Sequence, residues 1–162
     1  MPQGFIKPAN RVLVDDFSGQ GAVREFEVGA NATAAKMLPG NCVIVDTLAQ
    51  NIKEAGAKAD SITGVLEVGP TNKLTVAYAV GDQARVLQGH FIAQIRLKAS
   101  ENVSIESLLV SAADGQFAKL AVGVIGAQGA IIAKALEASN VTTIAYILAE
   151  CWTSGFEAAA AS

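Results

Sequence analysis

Few residues in this sequence could do acid–base, nucleophilic or metal chemistry near neutral pH. His90 is the only histidine, and histidine is the side chain most used to move protons in that range. It follows Gly89 at the start of an apolar run, where a turn or strand-edge imidazole is the ordinary role. A nucleophile would need the same histidine as its base, and the Gly-x-Ser-x-Gly elbow is missing from the sequence. Ser111-Ala-Ala-Asp-Gly115 reads as a turn between strands. Cys42, His90 and Cys151 lack the close pairing of zinc ligands, and the two cysteines read as buried thiols acting as small hydrophobes. Asp15-Asp16 lies in a stretch that reads as a Gly-rich turn; it could hold calcium weakly, but a solvated turn is the simpler reading. Gly123-Val-Ile-Gly126-Ala-Gln-Gly129 departs from the dinucleotide pattern, and no Walker lysine accompanies it. The expectation is a protein that is not an enzyme and uses no metal or cofactor.

The elements around these residues are short and mostly β. The chain has 162 residues, 51% hydrophobic and 17% charged, with 6% aromatic. That length supports a hydrophobic core without disulfides or metals. From residue 40 onward, apolar runs alternate with turn signals. Strands are expected at 42–45, 61–67, 74–80, 84–87, 90–97, 108–110, 121–125, 131–136 and 143–148, with Val, Ile, Thr and Tyr dominant. Residues 129–138 have good helix formers, but their place in a repeat favours a strand. Residues 55–60 could form one helical turn. Many short strands at this spacing predict an all-β fold, a sandwich or a small β-barrel.

That repeat pairs Ile62-Thr-Gly-Val-Leu-Glu67 and Leu74-Thr-Val-Ala-Tyr-Ala79 with Ile132-Ala-Lys-Ala-Leu-Glu137 and Thr143-Ile-Ala-Tyr-Ile-Leu148. It suits two similar halves of one β domain, each tyrosine turning its ring inward with its hydroxyl at the rim.

Residues 1–39 differ from the rest. They hold three of the four prolines and short apolar clusters spaced by turn residues. Strands are expected at 11–14 and 23–28, and weak helix at 30–37. The division expected is an N-terminal arm over 1–39, a barrel domain over 40–152 and a tail over 153–162. Phe5, Ile6, Val12, Leu13, Val14, Phe26 and Val28 are the arm residues expected to bind a neighbouring subunit or another partner, not the protein's own barrel. A net charge of −3 with scattered basic residues argues against nucleic acid or an anionic membrane as partner. The N-terminus lacks the pattern of a signal peptide, so residence in a cytoplasm is expected. The surplus of apolar residues predicts a homo-oligomer.

Several segments, in order, resemble the head decoration, or capsid cement, proteins of tailed phages. Met37-Leu-Pro-Gly40 before Cys42-Val-Ile-Val-Asp46 is similar to their proline-glycine approach to the core. Asp60-Ser-Ile-Thr-Gly-Val-Leu-Glu67 looks like their short turn and strand, and Tyr78-Ala-Val-Gly-Asp-Gln-Ala-Arg-Val-Leu87 like their Gly-Asp turn between strands. Leu109–Gly115 and Ile132–Ala138 resemble two further segments. The likeness covers about residues 36–150. It departs at Ser104-Ile-Glu-Ser-Leu108, where a Gly-Asp pair is expected, and at Lys134, where a small residue is usual. The resemblance implies a barrel or tulip-like domain, commonly trimeric, that binds the outside of the major capsid protein shell in the virion and bridges capsomers, after assembly in the host cytoplasm. The rival readings are another β-rich virion part, such as a tail-tube or spike subunit, and a barrel that binds a small molecule.

Overall fold

The computed structural model describes residues 7–16, 23–59, 61–121 and 131–153. Among them the chain is all-β, as its composition of short β-branched runs requires. The strands are β1 (Leu13–Asp16), β2 (Val23–Val28), β3 (Cys42–Val45), β4 (Asn51–Glu54), β5 (Gly64–Leu66), β6 (Gln83–Leu87) and β7 (His90–Leu97). They continue with β8 (Asn102–Val103), β9 (Leu108–Ser111), β10 (Phe117–Lys119), β11 (Ala133–Ala135), β12 (Ser139–Asn140) and β13 (Ala145–Trp152). Single 3-10 turns stand at Ala34–Lys36 and Ala113–Gly115.

The strands close into two rings, not one. The first runs β2-β4-β3-β5-β6 and back to β2. The second runs β7-β10-β9-β11-β13, and β13 closes it by pairing with β7 along their full length; β1 adds to the same sheet along residues 91–93 of β7. The sequence boundary expected at 39/40 is therefore not a boundary of a ring. The first ring takes in β2 from the expected arm, and the second begins at His90.

The two rings have one topology. β2 runs parallel to β4 and antiparallel to β6, as β7 runs parallel to β10 and antiparallel to β13. The remaining pairs, β3 with β4 and β5 and β5 with β6, match β9 with β10 and β11 and β11 with β13. Registers match as well. Val28 faces Ile52 as Leu97 faces Phe117, and Val43 faces Gly64 as Leu109 faces Ala133. Leu66 faces Val86 as Ala135 faces Ala149, and Val86 faces Arg24 as Ala149 faces Ala93. Following the pairings round either ring returns to the starting correspondence, so the chain is a structural duplication.

Side-chain alternation fills each ring. Val28, Val43, Ile52, Leu66 and Val86 form one buried cluster, and their counterparts Leu97, Leu109, Phe117, Ala135 and Ala149 lie in a second. The outward alternates Cys42, Val65 and Leu87 of the first ring belong to the second cluster. That face of the first ring is packed on the other half of the molecule.

Several expectations change in detail. The repeat over 62–67 and 132–137 does mark equivalent strands, β5 and β11, but the pairing register makes Lys134 the counterpart of Val65, one residue away from the sequence match. Residues 74–80 are not a strand. In the first ring β5 pairs directly with β6 and leaves them no edge; Tyr78 instead anchors the segment, its hydroxyl donating to the Glu67 carbonyl at 2.7 Å. Tyr78 turns inward as expected, whereas Tyr146 turns outward and donates to the Pro39 and Leu74 carbonyls, both at 3.0 Å. Asp15 and Asp16 lie in β1, not in a turn. Among residues 55–59 there is a turn and no helix; the strand expected at 121–125 lies, beyond residue 121, outside the described residues.

Two glycines separate crowding from backbone strain. A Cβ at Gly64 would collide with the Leu87 carbonyl oxygen and the Val86 side chain, while Gly81, at φ +87, has open space around it. Gly64→Ala should cost roughly 1–3 kcal/mol through overpacking, and Gly81→Ala about 1 kcal/mol through strain alone. Thermal melts of both variants check this; a Gly64→Ala protein melting with wild type would contradict the close strand approach.

Candidate interaction surface

The joint between the rings is built on β3 and the stretch leading into it. Gly40 takes φ +88, and a Cβ there would meet the Tyr146 ring and Arg96 side chain of the second ring. Asn41 follows, fully buried. Its amide nitrogen donates to the Lys36 carbonyl (2.7 Å) and the Asp114 carbonyl (3.1 Å), and its oxygen accepts from the Arg96 guanidinium (3.3 Å). The Cys42 thiol donates to the Gly115 carbonyl at 3.2 Å. Beside it, the Ser111 hydroxyl donates to the Gly56 carbonyl and accepts from the Ala59 amide, both at 2.8 Å. A buried amide with all these bonds made stabilises one relative placement of the rings, since shifting it would strand polar groups away from water.

The candidate chemical residues take structural positions. Ser111 is held by backbone groups of the joint. Burial pushes the Cys42 thiol up to about 12 and the Cys151 thiol higher still, so both are held as neutral thiols. The His90 Nε2 meets Glu150 Oε1 at 2.7 Å, and the imidazole stacks on Trp152 with centroids 5.7 Å apart. Glu150 also reaches Lys134 at 3.6 Å, and Lys134 reaches Glu106 at 3.2 Å. The hydrogen bond that Lys134 donates to Glu106, with added attraction from Glu150, raises the Lys134 ammonium above its ordinary value. Glu106, Lys134 and Glu150 thus form a chain of ion pairs on the outer face of β11 and β13, with His90 hydrogen-bonded at its end. Among the described residues, no group of three or more His, Cys, Asp or Glu could hold a metal ion. No helix there is long and apolar enough to cross a membrane.

The arm residues require correction. Val12 is fully buried in the cluster of the second ring and Val28 in that of the first. Phe26 and Leu13 are partly buried against the same clusters, and Val14 is half-buried in β1. Phe5 and Ile6 lie outside the described residues. The sequence shows short apolar clusters but not the polar groups that hold them. The Glu67 carboxylate accepts from the amides of Val12, Leu13 and Val68. The Gln94 amide donates to the Pro8 and Arg11 carbonyls, and Lys7 pairs with Glu137. A buried Glu inside an apolar run, Gly64-Val-Leu-Glu67-Val68, was the signal available for this anchor.

Among the described residues, exposed large apolar side chains recur at one connection shared by the two rings and also lie elsewhere, as at Val23 in β2. Val76 and Val80 stand between β5 and β6, and Val141 and Ile144 between β11 and β13, the same connection in each ring. Val45 and Leu48 project at the β3–β4 turn, and Ile105 and Leu108 where the chain leads into β9. Grooves lie on the surface among the described residues. One, of about 290 Å³, has an apolar floor including Val110 and Ala118 and is rimmed by Lys58, Lys98, Lys119 and Glu101. Another, of about 590 Å³, is bordered by Arg11, Arg85 and Glu67. The ring interiors themselves are filled with side chains.

Glu67→Ala should release the N-terminal strand. Removing a carboxylate that satisfies three amides costs roughly 2–4 kcal/mol. Hydrogen exchange should show the Val12 and Leu13 amides losing protection; protection equal to wild type would contradict the anchor.

The chain matches no family model and no curated protein.

Proposed function

We propose that this protein is a structural virion subunit that binds the outer surface of a tailed-phage capsid and stabilises it by bridging neighbouring capsomers. The observation that carries this reading is the fixed pairing of two in-register rings across a buried joint. The two rings run from Val23 to Trp152 and so take in the stretch, about residues 36–150, over which the sequence resembles capsid cement proteins. A bridging subunit must not bend between its contact points, and the bonds of Asn41 and Cys42 supply that stiffness.

Closed rings leave little free strand edge, so contact with a shell is made through faces and loops. Val76 and Val80 on one ring, and Val141 and Ile144 on the other, give each ring an apolar loop for it. Modest contacts suffice, because repetition over a shell multiplies them. Phe5 and Ile6, ahead of the anchored Lys7, are the arm residues that this reading leaves to bind a neighbouring subunit or the shell. Self-association, a trimer before a dimer, belongs to the same reading. The partner is the major capsid protein.

Expanded, undecorated capsids of the cognate phage, mixed with purified protein, should co-sediment with it to saturation. Val76→Asp combined with Ile144→Asp should weaken binding at least tenfold while leaving the circular-dichroism spectrum unchanged. Capsids that sediment without the wild-type protein at micromolar concentration would overturn the proposal.

A further inference from the structure

The duplication makes the internal joint a template. Within the chain, the first ring contributes one surface to the joint: the lead-in to β3 (Pro39–Cys42) and the outward side chains of β3, β5 and β6. The second ring receives it with the β9–β10 turn and the outer face of β7 and β13, where Arg96 and Tyr146 lie. Strand equivalence assigns each surface a counterpart on the other ring. The counterpart of the contributed surface lies on the second ring, where Leu108 stands in the place of Cys42 and Lys134 in that of Val65. The counterpart of the receiving surface lies on the first ring, at the β3–β4 turn, with Glu27 in the place of Arg96 and Gln83 in that of Tyr146.

Among the described residues, both counterparts carry exposed apolar side chains. Val45 and Leu48 are 45% and 63% exposed on the receiving side, and Ile105 and Leu108 are 47% and 39% exposed on the contributing side. We infer that a second copy of this chain docks head to tail, its second ring meeting the first ring of its neighbour in the geometry of the internal joint. This rests on the self-association proposed above and specifies its interface.

Head-to-tail contacts use two different patches on each chain and close into rings when the rotation allows, which a trimer requires. Three chains would set six equivalent rings in a circle. The copy-to-copy contact is the weaker of the two joints. Where the internal joint buries Val65 and Leu87, the second ring has Lys134 and Glu150, paired with each other and with Glu106 and His90. Burying that cluster carries a desolvation cost that the apolar face does not. The contact between copies is therefore reversible, while the internal one is fixed.

Complementation between two defective variants tests this. Leu48→Asp disables only the receiving side and Leu108→Asp only the contributing side; both residues are exposed, so both proteins should fold, and Ile105→Asp serves as a second contributing-side variant. Multi-angle light scattering at micromolar concentration should give wild type as a multiple of 16.6 kDa and each variant as a monomer. An equimolar mixture of Leu48→Asp and Leu108→Asp should form a dimer that grows no further, because one intact interface remains. Wild type at the monomer mass would overturn the self-association reading itself. An oligomeric wild type whose variants keep its mass, or whose mixture stays monomeric, would overturn the head-to-tail geometry alone.

Discussion

Asn41 can be buried between two closed rings only because its amide finds partners on both sides. It needs the Lys36 carbonyl from its own ring, and from the other ring the Asp114 carbonyl and the Arg96 guanidinium. The surrounding backbone is shaped to that demand. Asp114 and Gly115 take φ 63 and 73 to bring their carbonyls round, and a Cβ at Gly115 would press on the Cys42 carbonyl at 2.8 Å. Gly40 turns at positive φ where only a hydrogen fits beneath Tyr146. An orphaned amide there would cost about 1–3 kcal/mol. The hydrogen bonds thus fix the direction in which the apolar face of Cys42, Val65 and Leu87 is presented, and hydrophobic burial supplies most of the affinity between rings.

The N-terminal strand is set by a similar economy. Burying Val12 contributes roughly 1.5–3 kcal/mol, against about 1–2 kcal/mol for each residue whose backbone is fixed. Apolar contact alone does not hold such a strand. The carboxylate of Glu67, the amide of Gln94 and the ion pair of Lys7 with Glu137 supply the remainder. Both glutamates of the sequence repeat therefore hold the strand down, though they are not register equivalents.

The all-β class was legible because strands such as Val23–Val28, Cys42–Val45 and His90–Leu97 have β-branched or alternating sequences that need no tertiary help. Asn51–Glu54 was not, because only Ile52 points into the ring and the remaining residues are polar. Leu74–Val80 read as a strand from propensity, and ring closure overrode it by pairing β5 directly with β6. The repeat was visible in β5 and β11 but came one residue out of register, since Glu67 and Glu137 matched by identity while the ladders matched Val65 to Lys134. That two rings close separately depends on long-range pairings, such as β7 with β13, which short-range pattern does not encode. The joint was hidden for a further reason. Asn41 carries no pattern in the sequence that marks it for burial, and only the approach of the second ring makes it a buried contact.

A subunit that holds two capsomers together transmits force through its own middle, so the stiffness of the joint between the rings is the property on which the functional reading stands. Native-state hydrogen exchange measures it most directly, because amides that open only together report a common opening free energy. The Val43 and Leu109 amides, at equivalent places in the two rings, should exchange through one shared global opening with equal free energies. If the Val43 amide exchanged freely while Leu109 stayed protected, the rings would be separately folding units and the joint would not be rigid.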